Sequence, residues 1–368
     1  MAAISSKFVK APSFIFIPDI SGFSEFVNDT EIEHSRHIIS ELLNLIIKSN
    51  KLGMEVIEVE GDAILFYKKN VPRFDDILDQ AKKMFIEFHH HLRKYETLRI
   101  CQCGACSSAS SLSLKFIAHS GEVVTVDVGN LQKLHGKEVV IAHKLLKNSV
   151  PDHEYLLATD RVMENSTISE DSKKWAEVIS GNDVYNKSLH VNYGYVLLQK
   201  LHAKVPPVEH LDLPQKTENP FRYSVEIDAP VNLVQSYMTD LSLKKLWFKG
   251  LKGVEYDSNR VNRVGTVHTC IVGGRNHLKF KSITNHFGAG KWVYGEKLLN
   301  PKFARDMEFY FIADRLETAR TMLVFELHVK LFPGPLAFIS NIFKKRMSKV
   351  FKTNIENFKL ICEVEVKQ

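Results

Sequence analysis

Long apolar runs are missing from this 368-residue chain: nothing in it approaches the roughly 18–20 uninterrupted apolar residues of a membrane-spanning helix. A signal-peptide plan is missing too, because Asp19 interrupts the one early apolar run and no small-residue cleavage site follows it. Cysteine is scarce. Five residues, an odd number in a long chain, exclude the disulfide framework of a small secreted protein. The expectation is a cytoplasmic protein with free or metal-bound thiols. Charge of one sign is not in large excess either: the net charge is +6, and Lys and Arg are spread along the chain. No basic run is interleaved with base-stacking aromatics, which argues against a nucleic-acid partner. Internal repeats and low-complexity segments are absent, so solenoids and disordered tails are excluded as the main architecture.

What is present is the balance of a soluble globular protein, with 44% hydrophobic and 25% charged residues over a length that suggests two domains. Phe14–Pro18 reads as a buried strand. Thr30 and Glu33 have capping-box spacing, and Ile38, Ile39, Leu42, Leu43 and Ile46 form a helical stripe behind them. EVIEVEGDAILFY (55–67) is two alternating runs around Gly61-Asp62, a hairpin signal. A second helix is expected over 75–94, strands on both sides of Ser120-Gly121, a short helix over 139–147 and a strand at YLLAT. This β-α-β-β-α-β order is that of a ferredoxin-like α+β core. His202–Pro220, with four prolines and little periodicity, reads as a linker. From Phe221 a strand, two short helices, about six further strands and a long helix from Leu336 follow. An antiparallel sheet curled around such a helix would enclose an apolar cavity.

The chemistry suggested by the first half lies in two carboxylates. Asp19 ends one strand and Asp62 sits in the hairpin of the next two, so both can converge at one sheet end. With the backbone carbonyl of Ile20 they would make a hard-oxygen set for Mg²⁺ or Mn²⁺ carrying a polyphosphate. The amides of Gly22, Phe23 and Ser24, at a turn entering a helix, could hold phosphate oxygens. Taken singly, Asp19 also reads as a helix cap and Asp62 as a turn residue. CQCGAC places Cys101, Cys103 and Cys106 within six residues. That spacing can wrap Zn²⁺ with a fourth ligand from His89, His90, His91 or His119, or it can be a reduced thiol loop. His89–His91 on a helix fan out around the axis, as a solvated face does. Cys270 and Cys362 read as core.

FIPDISGFSEF, VEGDAILFY, FIAHSGEVV and GKEVVIAHKLL follow one another as the landmark segments of class III nucleotidyl cyclases do. Over about residues 12–160 the chain resembles a divergent, bacterial branch of that cyclase-homology family. The resemblance implies two metal ions on the aspartates, a nucleoside triphosphate substrate and a site shared across a homodimer. It also implies departures. An Asn and an Arg that serve the ribose and the transition state match Val140 and Lys144, and the base-selecting pair matches Glu58 and Lys133. Valine cannot hydrogen-bond a sugar, and lysine lacks the planar fork that grips phosphate. Losing one preorganised charge-stabilising group costs roughly 10²–10³ in rate, so weak or no ordinary cyclase turnover is expected, with Lys144, or His143 beside it, as partial substitute.

From about Pro220 onward the chain resembles the START-like, polyketide-cyclase-like helix-grip family, through VEIDAPVNLVQSYMTDLSLKKLW, the strand order and the long last helix. That implies an apolar small molecule or lipid as ligand. The domain plan is therefore 1–201 cyclase-homology, 202–219 linker and 220–368 helix-grip. The basic run Lys344, Lys345, Arg346 and Lys349 reads as one solvated helix face, with an anionic ligand or membrane surface as the alternative.

Overall fold

A computed structural model describes residues 12–28, 32–101, 103–128, 131–164, 167–186, 188–208, 219–258, 260–273, 276–283, 291–302, 304–334 and 336–366. Thr30 of the expected capping box falls outside them. The chain forms two compact units, one of residues 1–93 and 108–208, the other of 94–107 and 209–368.

The first unit contains β1 (Ser13–Ser21), α1 (Phe23–Asn28), α2 (Ile32–Lys48), β2 (Glu55–Glu60), β3 (Ala63–Lys68) and α3 (Phe74–Leu98), the last running on into the second unit. After α4 (Gly104–Ser108) come β4 (Ser113–Gly121), β5 (Val124–Val128), β6 (Leu131–His135), α5 (Lys137–Leu145), β7 (Tyr155–Thr159), α6 (Asp160–Met163), α7 (Glu170–Lys173), β8 (Val178–Tyr185) and β9 (Leu189–Leu197). All nine residues of β1 are buried, as an apolar run covered on both faces requires. Ile15, Ile17, Leu65, Ile117 and Leu157 face Ile141, Ala142 and Leu145 of α5. On β1 the opposite parity, Phe14 and Phe16, is buried too, and Phe16 stacks on Phe116 at 5.5 Å.

The sheet order is β2-β3-β1-β4-β7-β9-β8. Its first four strands, read inward, are the ferredoxin-like arrangement. The α2 crossover puts β2 parallel to β1 with β3 between them, and the α3 crossover puts β4 on the other side of β1. The α5 crossover then adds β7 parallel to β4. The strand after Gly121 does not join this sheet. β5 pairs with β6 in a separate ribbon, because alternation specifies a strand but not its partner.

Gly121 has a definite packing reason. A Cβ there would lie 2.5 Å from Cγ of Glu138. That carboxylate accepts from His119 at 2.8 Å and pairs with Arg161 at 3.1 Å, and His119 in turn meets Thr159 at 3.0 Å. Burial lowers the His119 pKa, so the imidazole is neutral at pH 7. Gly121→Ala is expected to destabilise the first unit by about 1–3 kcal/mol through overpacking. Urea unfolding followed by Trp175 fluorescence, with the other two tryptophans replaced by Phe, checks this.

The stretch expected as a linker from residue 202 begins within structure. Gln199–Lys204 is a 3-10 helix, and Arg93 donates to the carbonyls of Val205 at 2.6 Å and Pro206 at 3.2 Å. Residues 209–218 lie outside the described ones.

The second unit contains β10 (Phe221–Ile227), α8 (Val231–Thr239), α9 (Lys244–Trp247), β11 (Leu251–Glu255), β12 (Val267–Val272), β13 (Asn276–Ile283), β14 (Trp292–Leu298), β15 (Asp306–Glu317), β16 (Arg320–Lys330) and α10 (Leu336–Glu365). Its antiparallel sheet runs β10-β16-β15-β14-β13-β12-β11, so the first strand closes against the last and the sheet curls around α10. This is the helix-grip arrangement. Phe351, Ile355, Phe358 and Cys362 of α10 are buried, whereas Val350 is exposed. Phe325 stacks on Phe351 at 4.7 Å and Trp247 meets Phe358 edge-on at 5.3 Å. Cys270 and Cys362 are core, as expected. The sequence pattern gives no sign of the charged cluster in this core, where Lys244, His268, Tyr294 and Glu296 are all buried. Among the described residues no helix is long and apolar enough to cross a membrane.

Candidate functional site

β1 carries Asp19 to the end of the first sheet, in register with Ala63 on one side and Lys115 on the other. The hairpin turn between β2 and β3 carries Asp62, with Gly61 supplying the positive φ of 60° that the turn needs. The amide of Ile20 donates to the Asp62 carbonyl at 3.1 Å, which ties the two loops. Asp62 holds its proton more tightly than an ordinary aspartate. Burial is the main cause and the charge of Asp19 the next, while its own backbone hydrogen bond and Lys115 act the other way. The two aspartates thus lie at the same end of the sheet, near enough for the charge of Asp19 to act on Asp62.

The third member of the site is Lys115, which the sequence reading missed. Its Nζ lies 3.0 Å from Oδ2 of Asp19 and donates to the Leu146 carbonyl at 3.3 Å. The available signal was a lone lysine in the otherwise apolar strand LKFIAHSG. Nothing local to that strand shows that it faces Asp19. A fixed ammonium thus occupies one side of the carboxylate pair.

Gly22, at φ +86°, turns the chain from β1 into α1, and its carbonyl accepts from the Phe26 amide at 3.0 Å. Gly22 and Ser24 are exposed, and the Phe23 ring lies beside the Gly61 turn. Glu58 and Lys133 meet each other, with Nζ 3.0 Å from Oε1. Lys144 on α5 sits over the Tyr185 ring at 5.9 Å, and Val140 is 54% exposed.

The thiols of Cys101, Cys103 and Cys106 lie within 4.8 Å of one another. The Cys103 amide points at the Cys101 sulfur and the Cys106 amide at the Cys103 sulfur, both at 3.4 Å. Such N–H···S contacts favour thiolate. Bonds to Cys101 and Cys103, then burial, push the Cys106 pKa far up, so the trio cannot fully ionise without a cation. Three of the histidines considered as fourth ligands lie against carboxylates: His89 against Glu154 at 3.1 Å, His91 against Glu41 at 2.8 Å and His119 against Glu138. His90 meets the Pro206 carbonyl at 3.2 Å. The run 89–91 is therefore no plain solvated face: His89 is buried, and His90 and His91 are held by partners.

Residues 39–155 match the model of a family described as a protein of unknown function (DUF2652). An uncharacterised protein of Mycobacterium tuberculosis is 34% identical over 124 residues, which are 34% of this chain and 58% of that protein. The chain thus spans less than two thirds of the length of that curated relative. Among solved structures, the catalytic core of a rhodopsin-guanylyl cyclase in complex with ATPαS is similar at 16% identity and a TM-score of 0.37, over 51% of this chain and 96% of that one. A bacterial light-regulated adenylyl cyclase is similar at 16% identity and a TM-score of 0.37, over 53% of this chain and 98% of that one. An aromatase/cyclase from a Streptomyces species is similar at 15% identity and a TM-score of 0.34, over 40% of this chain and 95% of that one.

Proposed function

We propose that residues 1–201 form a divergent cyclase-homology domain that binds a divalent cation together with a nucleoside triphosphate or polyphosphate. In this reading it lacks ordinary cyclase turnover, acts as a homodimer, and is coupled to a helix-grip domain that senses an apolar ligand. The observation that carries the reading is that Asp19 and Asp62 stand at one sheet end, where burial and then the charge of Asp19 raise the Asp62 pKa. Two carboxylates beside one fixed ammonium carry a net negative charge, which favours a divalent cation such as Mg²⁺ or Mn²⁺. Asp19, Asp62 and the Ile20 carbonyl would hold the ion, which supplies charge neutralisation for phosphate oxygens. Gly22, Phe23 and Ser24 would give backbone donors to those oxygens, and Lys115 a further positive charge beside them.

Turnover is where the site is weakest. Val140 offers no hydrogen bond and Lys144 is drawn to an aromatic face. Glu58 and Lys133 neutralise each other, so a base must break an existing ion pair to be read. The test is incubation with Mn²⁺ and each of the four nucleoside triphosphates, with cyclic products sought by mass spectrometry. Absence of product is the expected result. Product that Asp62→Ala abolishes would establish the alternative, an active divergent cyclase. Neither product nor metal-dependent nucleotide binding would move the function to the helix-grip unit as a carrier.

Two predictions arise here. Lys115→Met removes a unit charge from beside Asp19, a repulsion on a bound cation of a few kcal/mol at short range. Mn²⁺ affinity, measured without nucleotide, should rise roughly 10- to 100-fold. The three cysteines should take one Zn²⁺ with release of protons. Co²⁺ should give thiolate-to-metal charge-transfer bands that Cys106→Ser weakens strongly.

A further inference from the structure

Three side chains from separate parts of the first unit meet. His89 comes from α3, Glu154 from the residue before β7, and His202 from the 3-10 helix Gln199–Lys204. Their ligand atoms all lie within 4.8 Å of one another. His202 Nε2 is 2.8 Å from one oxygen of Glu154. His89 Nε2 is 3.1 Å from the other, with its side chain only 9% exposed, yet that nitrogen makes no hydrogen bond. A buried ring nitrogen aimed at a carboxylate without bonding to it has an unmet requirement. A cation between the groups would meet it.

We infer that His89, Glu154 and His202 form a binding site for a divalent transition-metal ion of the zinc class. Two imidazoles and one carboxylate are the donors that such ions prefer and that Mg²⁺ or Ca²⁺ does not. The imidazole centroids are 4.5 Å apart at 67°. Two imidazoles sharing one tetrahedral ion at about 2.0–2.1 Å would hold their centroids roughly 5 Å apart, so a slight opening of the pair would seat the ion. The protonation states suit ligation. Burial depresses the His89 pKa, aided by His202 and Arg93 and opposed by Glu154. Burial acts to raise that of Glu154, but the two histidines outweigh it and keep the carboxylate ionised.

The ligands are held in place independently of any ion. Arg93 donates to the His202 carbonyl at 3.3 Å as well as to Val205 and Pro206. The Leu198 amide donates to the Glu154 carbonyl at 2.9 Å. The rings of Phe85 and Phe88 lie 4.2 and 5.4 Å from that of His89, which makes that side of the site apolar. The His202 side chain is 41% exposed, so the remaining coordination position opens toward water. Arg93 lowers cation affinity, and the carboxylate offsets it.

The test uses the full chain, dialysed against buffered Zn²⁺ and then metal-free buffer, with zinc counted by mass spectrometry and melting followed by calorimetry. His202→Gln keeps a hydrogen-bond donor for Glu154 but removes the ring nitrogen. His202→Ala removes both, and His190→Ala is an exposed-histidine control. The expected result is one fewer zinc per chain in both His202 variants and loss of a Zn²⁺-dependent rise in melting temperature, with the control unchanged. Added Co²⁺ should give weak bands without thiolate charge transfer that the His202 variants lack, which separates this site from the cysteines. Equal zinc content and equal Zn²⁺-induced shifts in all four proteins would overturn the proposal and leave a His-Glu-His latch. Should His202→Ala fail to fold, His202→Gln and the Co²⁺ spectrum decide.

Discussion

Glu296→Leu is expected to cost the second unit about 3–5 kcal/mol, because it strands a buried ammonium. Lys244 and Glu296 are 4% and 1% exposed. The Lys244 ammonium contacts both carboxylate oxygens, one of them at 2.6 Å, and lies 3.1 Å from His268 Nε2. Tyr294 donates to the same carboxylate at 2.6 Å, and the Phe280 ring is 5.2 Å from the ammonium. Once Glu296 is gone, nothing anionic in this set remains to balance the charge. The double variant Lys244→Met/Glu296→Leu should recover most of the loss, since replacing a buried pair by apolar groups is often neutral or stabilising. Urea unfolding in a Trp175→Phe background, where Trp247 and Trp292 report on this unit, gives both numbers and their coupling energy.

The same cluster fixes a pH dependence. Burial would raise the Glu296 pKa, but Lys244 and His268 outweigh it and hold it far below the usual carboxylate range. A folded pKa below the unfolded value of 4.5 gives stability that is full above 4.5 and lost as pH falls through the folded value. His268 acts in the same direction. Burial, then Lys244, hold its pKa below 6.5, so the unfolded chain takes up that proton first and stability declines as pH drops below about 6.5. The second unit should therefore be acid-labile in two stages. The double variant should keep the first stage, which burial of His268 causes, and lose the second.

Asp62→Asn is expected to lower the affinity for a Mn²⁺-nucleoside triphosphate complex by at least about 100-fold, without destabilising the fold. The two halves of that expectation have one cause. Burial and Asp19 raise the Asp62 pKa, so its ionised form is a strain on the fold above that pKa, and the neutral amide relieves it. A substitution that removes binding while melting temperature holds or rises marks a residue kept for function. Metal and proton compete for the same carboxylate, so Mn²⁺ affinity should strengthen as pH rises through the Asp62 pKa and flatten above it. The Asn variant should lack that limb.

The parts of this molecule legible in the sequence are those whose signal is local. Phe14–Pro18 read as a buried strand and proved part of the longer β1, Gly61-Asp62 read as a hairpin, and the stripe of Ile38, Ile39, Leu42 and Ile46 gave the buried face of α2. The order of the first four strands followed from element order, because crossovers leave few alternatives. What was hidden depends on pairing across the chain. Lys115 meets Asp19 only through the β1–β4 register, and Glu138 needs Gly121 only because α5 returns over β4. His89 looked like one of three fanned histidines until α3 placed it against Glu154 and His202. Lys244 occupies an amphipathic helical stretch where lysine ordinarily snorkels to water, and only the packing of that stretch against the sheet strands that carry His268 and Glu296 makes it internal. Glu58 and Lys133 were singled out by resemblance alone, and their mutual ion pair is a result of the fold.

The most direct measurement of the central claim is calorimetric titration of a non-hydrolysable nucleoside triphosphate into the full chain, with and without Mn²⁺, in parallel with Asp62→Asn. The account predicts saturable binding that requires Mn²⁺ and disappears in the variant, while the variant melts at the same temperature or higher. Binding that is equally tight without Mn²⁺, or unchanged in Asp62→Asn, would contradict it.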